Sequence, residues 1–175
     1  MKRNWIAPAI VLAGLVAGGP AIAHVVLAVR EAPAGSYYKA TFRVPHGCDG
    51  SPTVALSVEL PPGIVVAKPA AKPGWTLEIE KEHLAQPVVN EGHQLTERVK
   101  LVRWQGGRLP DDEFDEFSMM VRLPAEEGPL YFPVTQRCEV GETAWVQRPT
   151  GEAGARPPPH PAPSVLVTPL ISRNR

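Results

Sequence analysis

The 175 residues carry 18 basic and 18 acidic side chains, so the formal charge is zero and no basic stripe invites nucleic acid or an anionic membrane surface. Twenty-one prolines and 15 glycines disfavour a helical bundle, while the length suits one domain with a core of its own. Beyond the first two dozen residues, no apolar run is long enough to cross a bilayer as a helix.

Lys2 and Arg3 precede an apolar run from Trp5 to Val16, a Gly18-Gly19-Pro20 break, and Ala21-Ile22-Ala23, a small-x-small pattern of the kind signal peptidase cuts after. Residues 1–23 therefore read as a signal peptide, and the mature protein as periplasmic or secreted, exported from a bacterium and not membrane-spanning. A lipoprotein would need cysteine immediately after the cut. His24 stands there instead, so no lipid anchor is expected.

Cleavage after Ala23 gives His24 both a free α-amine and an imidazole, and the amine nitrogen and Nδ1 close a six-membered chelate on one ion. An α-amine titrates near ~7.7 to 8.0, so at neutral pH the metal displaces a loosely held proton. Two nitrogens in one plane suit the tetragonal preference of Cu(II), whereas zinc favours a tetrahedron and calcium favours oxygen. The competing reading makes His24 only the first residue of an edge strand.

Strands follow. Tyr38, Ala40, Phe42 and Val44 alternate with Tyr37, Lys39, Thr41 and Arg43, the period-two signature of a half-buried strand. It ends in the corner Pro45-His46-Gly47-Cys48, where His46 is the leading second metal ligand, the alternative being a surface-loop histidine. Val54, Leu56, Val58 and Leu60 form the next inward face, and Trp75, Leu77 and Ile79 another. His83 and His93 flank a Pro87-containing segment expected to be a loop, and are weaker candidates. Leu95 to Trp104 changes phase near Leu101-Val102, which predicts a bulge. Asp111-Asp112-Glu113 with Asp115-Glu116 lacks the glycine and spacing of a calcium loop and reads as a solvated turn. Phe117, Met119, Val121 and Leu123 make one further face, and Leu130, Phe132 and Val134 another. The last core strand is expected over Thr143 to Gln147.

Cys48 and Cys138 are the only cysteines, and in an exported chain they read as one disulfide. A copper thiolate is the rival role, but Cys138 has no His or Met close by in sequence. Pro/Gly turns between short strands predict an all-β antiparallel sandwich of immunoglobulin-like or cupredoxin-like type, over residues 24–150. Residues 151–175 form a Pro-rich tail in which Val165-Leu166-Val167 either returns as an edge strand or hangs free. His160 there reads as a solvated tail histidine, and the extreme end is expected to be disordered.

These residues carry a resemblance. His24-Val25-Val26, Ala34-Gly35-Ser36-Tyr37-Tyr38-Lys39 and Arg43-Val44-Pro45-His46-Gly47-Cys48 resemble the YcnI-like family of exported bacterial copper-binding proteins. Lys72-Pro73-Gly74-Trp75, Trp104-Gln105-Gly106-Gly107-Arg108-Leu109-Pro110-Asp111, Phe114-Asp115-Glu116-Phe117 and Tyr131-Phe132-Pro133-Val134 extend it over nearly the whole domain. The resemblance implies a sandwich that binds one Cu(II) through the N-terminal histidine, with a tryptophan near the metal that Trp145 matches best. Without the resemblance, Trp145 reads as ordinary core. Some members supply a glutamate where this chain has Tyr38, and its loss favours His46 as the replacement donor. Such proteins resemble metallochaperones, so the expected partners are the copper ion and a copper-transporting membrane protein or another copper carrier.

The expected function is thus an exported Cu(II) chaperone or copper-homeostasis factor rather than an enzyme. Met119 and Met120 are adjacent and face opposite sides of a strand, so no Met-rich Cu(I) cluster is available. Two alternatives stand beside this. One is a copper enzyme of the lytic monooxygenase type, which also begins with a chelating histidine but needs a flat aromatic face that four tryptophans, one in the signal, hardly supply. The other is a metal-free immunoglobulin-like interaction module. Nucleophile elbows, phosphate loops and His-Glu-x-x-His helices are all missing from the sequence.

Overall fold

The computed structural model describes residues 24–151 and 156–170. The signal peptide expected over 1–23 and the extreme C-terminal end lie outside the described residues. In chain order the strands are β1 (Val26–Leu27), β2 (Glu31–Pro33), β3 (Tyr37–Val44), β4 (Thr53–Glu59), β5 (Ala67–Pro69) and β6 (Thr76–Asn90). They continue with β7 (His93–Leu109), β8 (Asp115–Arg122), β9 (Gly128–Tyr131), β10 (Val134–Cys138), β11 (Glu142–Trp145) and β12 (Ser164–Thr168). No helix occurs among the described residues.

A four-stranded sheet in the order β1-β3-β8-β5 faces a five-stranded sheet in the order β11-β10-β4-β7-β6. The alternation in β3 and β8 buries Ala40, Phe42, Val44, Phe117, Met119 and Val121 against Leu56, Val58, Val102 and Trp104 of the opposite sheet. Edge-on and tilted aromatic contacts join the layers, Phe42 to Phe132 and Trp104 to Phe117. The pairings between these strands are antiparallel except β2 with β12.

Four expectations change in detail. In β4 the register shifts between Thr53 and Ala55, so these two turn inward and Val54 does not. The bulge expected at Leu101-Val102 falls at Lys100, which the shift from the Glu80–Leu101 pair to the Lys81–Val99 pair leaves unopposed. The segment around Pro87 is no loop: β6 and β7 run on as a long hairpin closed by Glu91 and Gly92, both at positive φ (50° and 80°). That is the two-residue turn whose twist matches its strands, and Pro87 is tolerated because β6 is an edge strand with a register shift beside it. Leu130 and Val134 lie on different strands, β9 and β10, in different sheets, with Phe132-Pro133 making the crossing.

The tail also returns. β12 is the central strand of a third sheet, ordered β2-β12-β9, and Val165 and Val167 join the core. The break expected at residue 150 therefore interrupts the chain without ending the sheets. Several resemblance motifs pack together: Lys72 Nζ bonds Asp115 and the Glu116 carbonyl and lies over the Phe117 ring, against which Trp75 stands edge-on. Gly107 is required there, since a Cβ would meet Trp75 Cε2 at 2.3 Å.

Candidate metal centre

The two outer strands β1 and β11 end their respective sheets, and they meet at one rim of the sandwich. Val25 and Leu27 point into the core, so alternation leaves His24 and Val26 half-buried. From that position the His24 imidazole stands edge-on to the Trp145 indole, with ring centroids 5.5 Å apart and planes at 63°. His24 Nε2 is buried and has no hydrogen-bond partner among the described residues. Buried polar groups are nearly always paired, so an unpaired one asks for a partner that protein atoms do not supply.

Trp145, itself 4% exposed, is fixed by a polar network under the site. Its Nε1 donates to Gln136 Oε1 at 3.0 Å, and Gln136 Nε2 donates to the His46 carbonyl at 2.7 Å and to Thr53 Oγ1 at 2.8 Å. Thr53 Oγ1 lies 3.8 Å from Cys138 Sγ, toward which only the hydroxyl has a proton to give. Gln136 is fully buried in β10 and meets three partners, which makes its burial affordable. A polar residue at the inward position between Val134 and Cys138 was visible in the sequence and marks this network.

His46 sits at the corner after β3. Its half-buried ring places Nδ1 2.5 Å from the Gly47 carbonyl, an acceptor, so Nδ1 carries the proton in that contact. Gly47 N donates to Asp111 Oδ1 at 3.0 Å, so part of the acidic run caps this corner rather than facing only solvent. Cys48 is bonded to Cys138, with Cα atoms 6.0 Å apart, tying the first sheet to the second. Closing the 90-residue separation is worth about 4 to 5 kcal/mol in the chain-entropy model. The β1–β3 register pairs Val26 with Arg43 and Leu27 with Phe42, so the segment holding His24 and the corner holding His46 lie at the same end of that strand pair.

His160 is exposed, in keeping with a solvated residue, but the segment around it does not hang free: its ring lies 5.4 Å from Trp145, edge-on at 71°. Gln147 holds it there: Gln147 N donates to the His160 carbonyl (3.0 Å), Ala162 N to the Gln147 carbonyl (2.8 Å), and His160 N to Gln147 Oε1 (2.9 Å). Residues 160–162 thus form a strap bound along the chain after β11, and a cavity of about 220 Å³ opens between residues 161–164 and His24 to Leu27. Sequence reasoning passed over His160 because proline content alone says nothing of where an extended segment docks.

The remaining candidates lie elsewhere. Tyr38 is buried; its hydroxyl donates to the Val29 carbonyl at 2.5 Å, and burial pushes its pKa up to about 12. The phenol therefore staples the loop after β1. His83 pairs with Glu97 on the exposed hairpin, and His93 lies at its tip. No group of three His, Cys, Asp or Glu side chains among the described residues is placed to hold an ion. A chelate that draws two nitrogens from one terminal residue does not require such a cage.

An immunoglobulin-like sandwich with a histidine and an indole paired at its rim is the class this geometry defines. The family model described as "Domain of unknown function (DUF1775)" matches residues 24–167, and the chain belongs to that family. A solved structure from Nocardia farcinica, described as an uncharacterized protein with an immunoglobulin-like fold, is similar at 29% identity and a TM-score of 0.62. The match covers 82% of this chain and 97% of that one. Among curated proteins none matches.

Proposed function

We propose that this protein is an exported carrier of Cu(II), gripped by the amine and Nδ1 of His24 once residues 1–23 are removed. The observation that carries the reading is the His24 imidazole itself, half-buried at the rim and packed on Trp145; the buried Nε2 is the ring nitrogen that an Nδ1 chelate leaves uncoordinated. The family match supports it by beginning at the same residue as the expected mature chain. Further support comes from the resemblance to the YcnI-like copper proteins and from the disulfide, which suits an oxidising compartment.

In this reading Trp145 walls one side of the ion and excludes water from it. His46 is the second donor in this reading, because its corner follows β3, the neighbour of β1 in the sheet. Gln136 fixes both: the same amide holds the indole N–H and the His46 carbonyl, so the two groups keep a constant spacing. The partners are a copper-transporting membrane protein or a second carrier, and the place of work is the periplasm or the cell exterior.

The test is the mass of the exported protein, alone and with one equivalent of Cu(II). A mass that starts at His24 and rises by one copper is expected, with the gain lost in His24→Ala. A first residue other than His24, or an acylated amine, would sink the proposal.

A further inference from the structure

We propose that His160 supplies an additional imidazole to the copper held by His24, delivered across the rim by the C-terminal strap. This rests on the copper reading above. Three observations carry it. First, His24 and His160 both pack edge-on against the same Trp145 indole, with centroids 5.5 and 5.4 Å from it, so two chain segments remote in sequence bring imidazoles to one side chain of the rim. Second, the placement is built. Gln147 binds the strap through three hydrogen bonds, two to the N–H and carbonyl of His160 itself and one from Ala162 N, and the strap continues into β12, whose Val165 and Val167 are anchored in the core. Third, the cavity between His24 to Leu27 and Pro161 to Ser164 leaves space between the two segments.

The chemistry fits the ion. A Cu(II) that has an amine and one imidazole in its plane still accepts nitrogen donors, and a neutral imidazole is the commonest protein ligand available to it. His160 is exposed and its backbone is held at both its N–H and its carbonyl, so a change of rotamer gives up only the ring's edge contact with Trp145. His24 is half-buried just ahead of the edge strand. The sandwich thus provides a fixed chelate and the strap a closing donor.

The experiment counts imidazoles. Electron spin-echo modulation on the exported, Cu(II)-loaded protein reads the remote nitrogen of each coordinated ring. His160→Ala is expected to lose one imidazole from the wild-type count and to weaken Cu(II) binding about tenfold or more. If His160→Ala gives the wild-type spectrum and affinity, the proposal is overturned while the His24 carrier stands. If the wild-type protein takes up no Cu(II), both fall. Because His160 is exposed, an unchanged thermal midpoint in His160→Ala excludes unfolding as the cause of a lost signal.

Discussion

Gln136 and Trp145 lie on neighbouring antiparallel strands and are joined side chain to side chain, the indole N–H donating to the buried amide oxygen at 3.0 Å. The same amide donates to the His46 carbonyl and to Thr53, so one residue connects the rim tryptophan, the His46 corner and, through Thr53, the disulfide. Stability and the shape of the candidate site therefore depend on a common group.

Gln136→Leu keeps the volume but leaves the Trp145 N–H, the His46 carbonyl and the Thr53 hydroxyl without their partner. Unsatisfied buried groups cost about 1–3 kcal/mol each, partly recovered by relaxation, so a net loss of about 2–4 kcal/mol is expected. Urea unfolding should show a lower midpoint at an unchanged slope. A variant as stable as wild type would mean that the network contributes no more than its shape.

Tyr38 predicts a pH dependence. Its folded pKa is raised to about 12 from an ordinary value near 10, because burial disfavours the phenolate. Between those values the native state holds a proton that the unfolded chain has released, so stability falls as pH rises through that window. The contribution is complete below about pH 10. Tyr38→Phe should flatten this part of the curve and, at neutral pH, cost about 1 kcal/mol for the lost bond to the Val29 carbonyl. Thermal midpoints of both proteins between neutrality and strong alkali provide the check.

How much of this was legible in the sequence follows from the reach of each signal. Period two reports which face of a strand is buried, and it read β3 and β8 correctly because both run without a bulge. It misplaced Val54, since a register shift reverses the alternation and leaves no mark in residue type. Pro87 suggested a loop because proline lacks a donor, yet an edge strand has a side that needs none. The disulfide was readable from cysteine count and compartment. The candidate site was only half readable: the expected cleavage pattern singles out His24, whereas its contact with Trp145, and that of His160 with the same indole, depend on two sheet edges and a strap converging, which no local pattern encodes.

Copper should report its position through Trp145. Of the three tryptophans past residue 23, Trp104 is buried with its Nε1 on the Ala70 carbonyl and Trp75 packs on Phe117, while Trp145 alone touches His24. One equivalent of Cu(II) is expected to quench part of the fluorescence of the exported wild-type protein. Trp145→Phe should retain copper yet lose most of the quenching. Equal quenching in both would place the ion elsewhere.

Oxidation state is the final discriminator between a carrier that releases on reduction and one that holds either form. Cu(I) favours soft sulfur donors. Both cysteines are in the disulfide, Met119 is sealed in the core at 1% exposure, and Met120 faces outward on the opposite side of β8. The donors proposed at the rim are nitrogens of histidine, and these suit the cupric ion better. Ascorbate added to the Cu(II)-loaded protein in the presence of a Cu(I) chelator should therefore transfer the metal to the chelator, whereas the same chelator without ascorbate should leave it bound. Retention of Cu(I) against a chelator of ordinary strength would refute release by reduction and point to a sulfur donor brought by a second molecule.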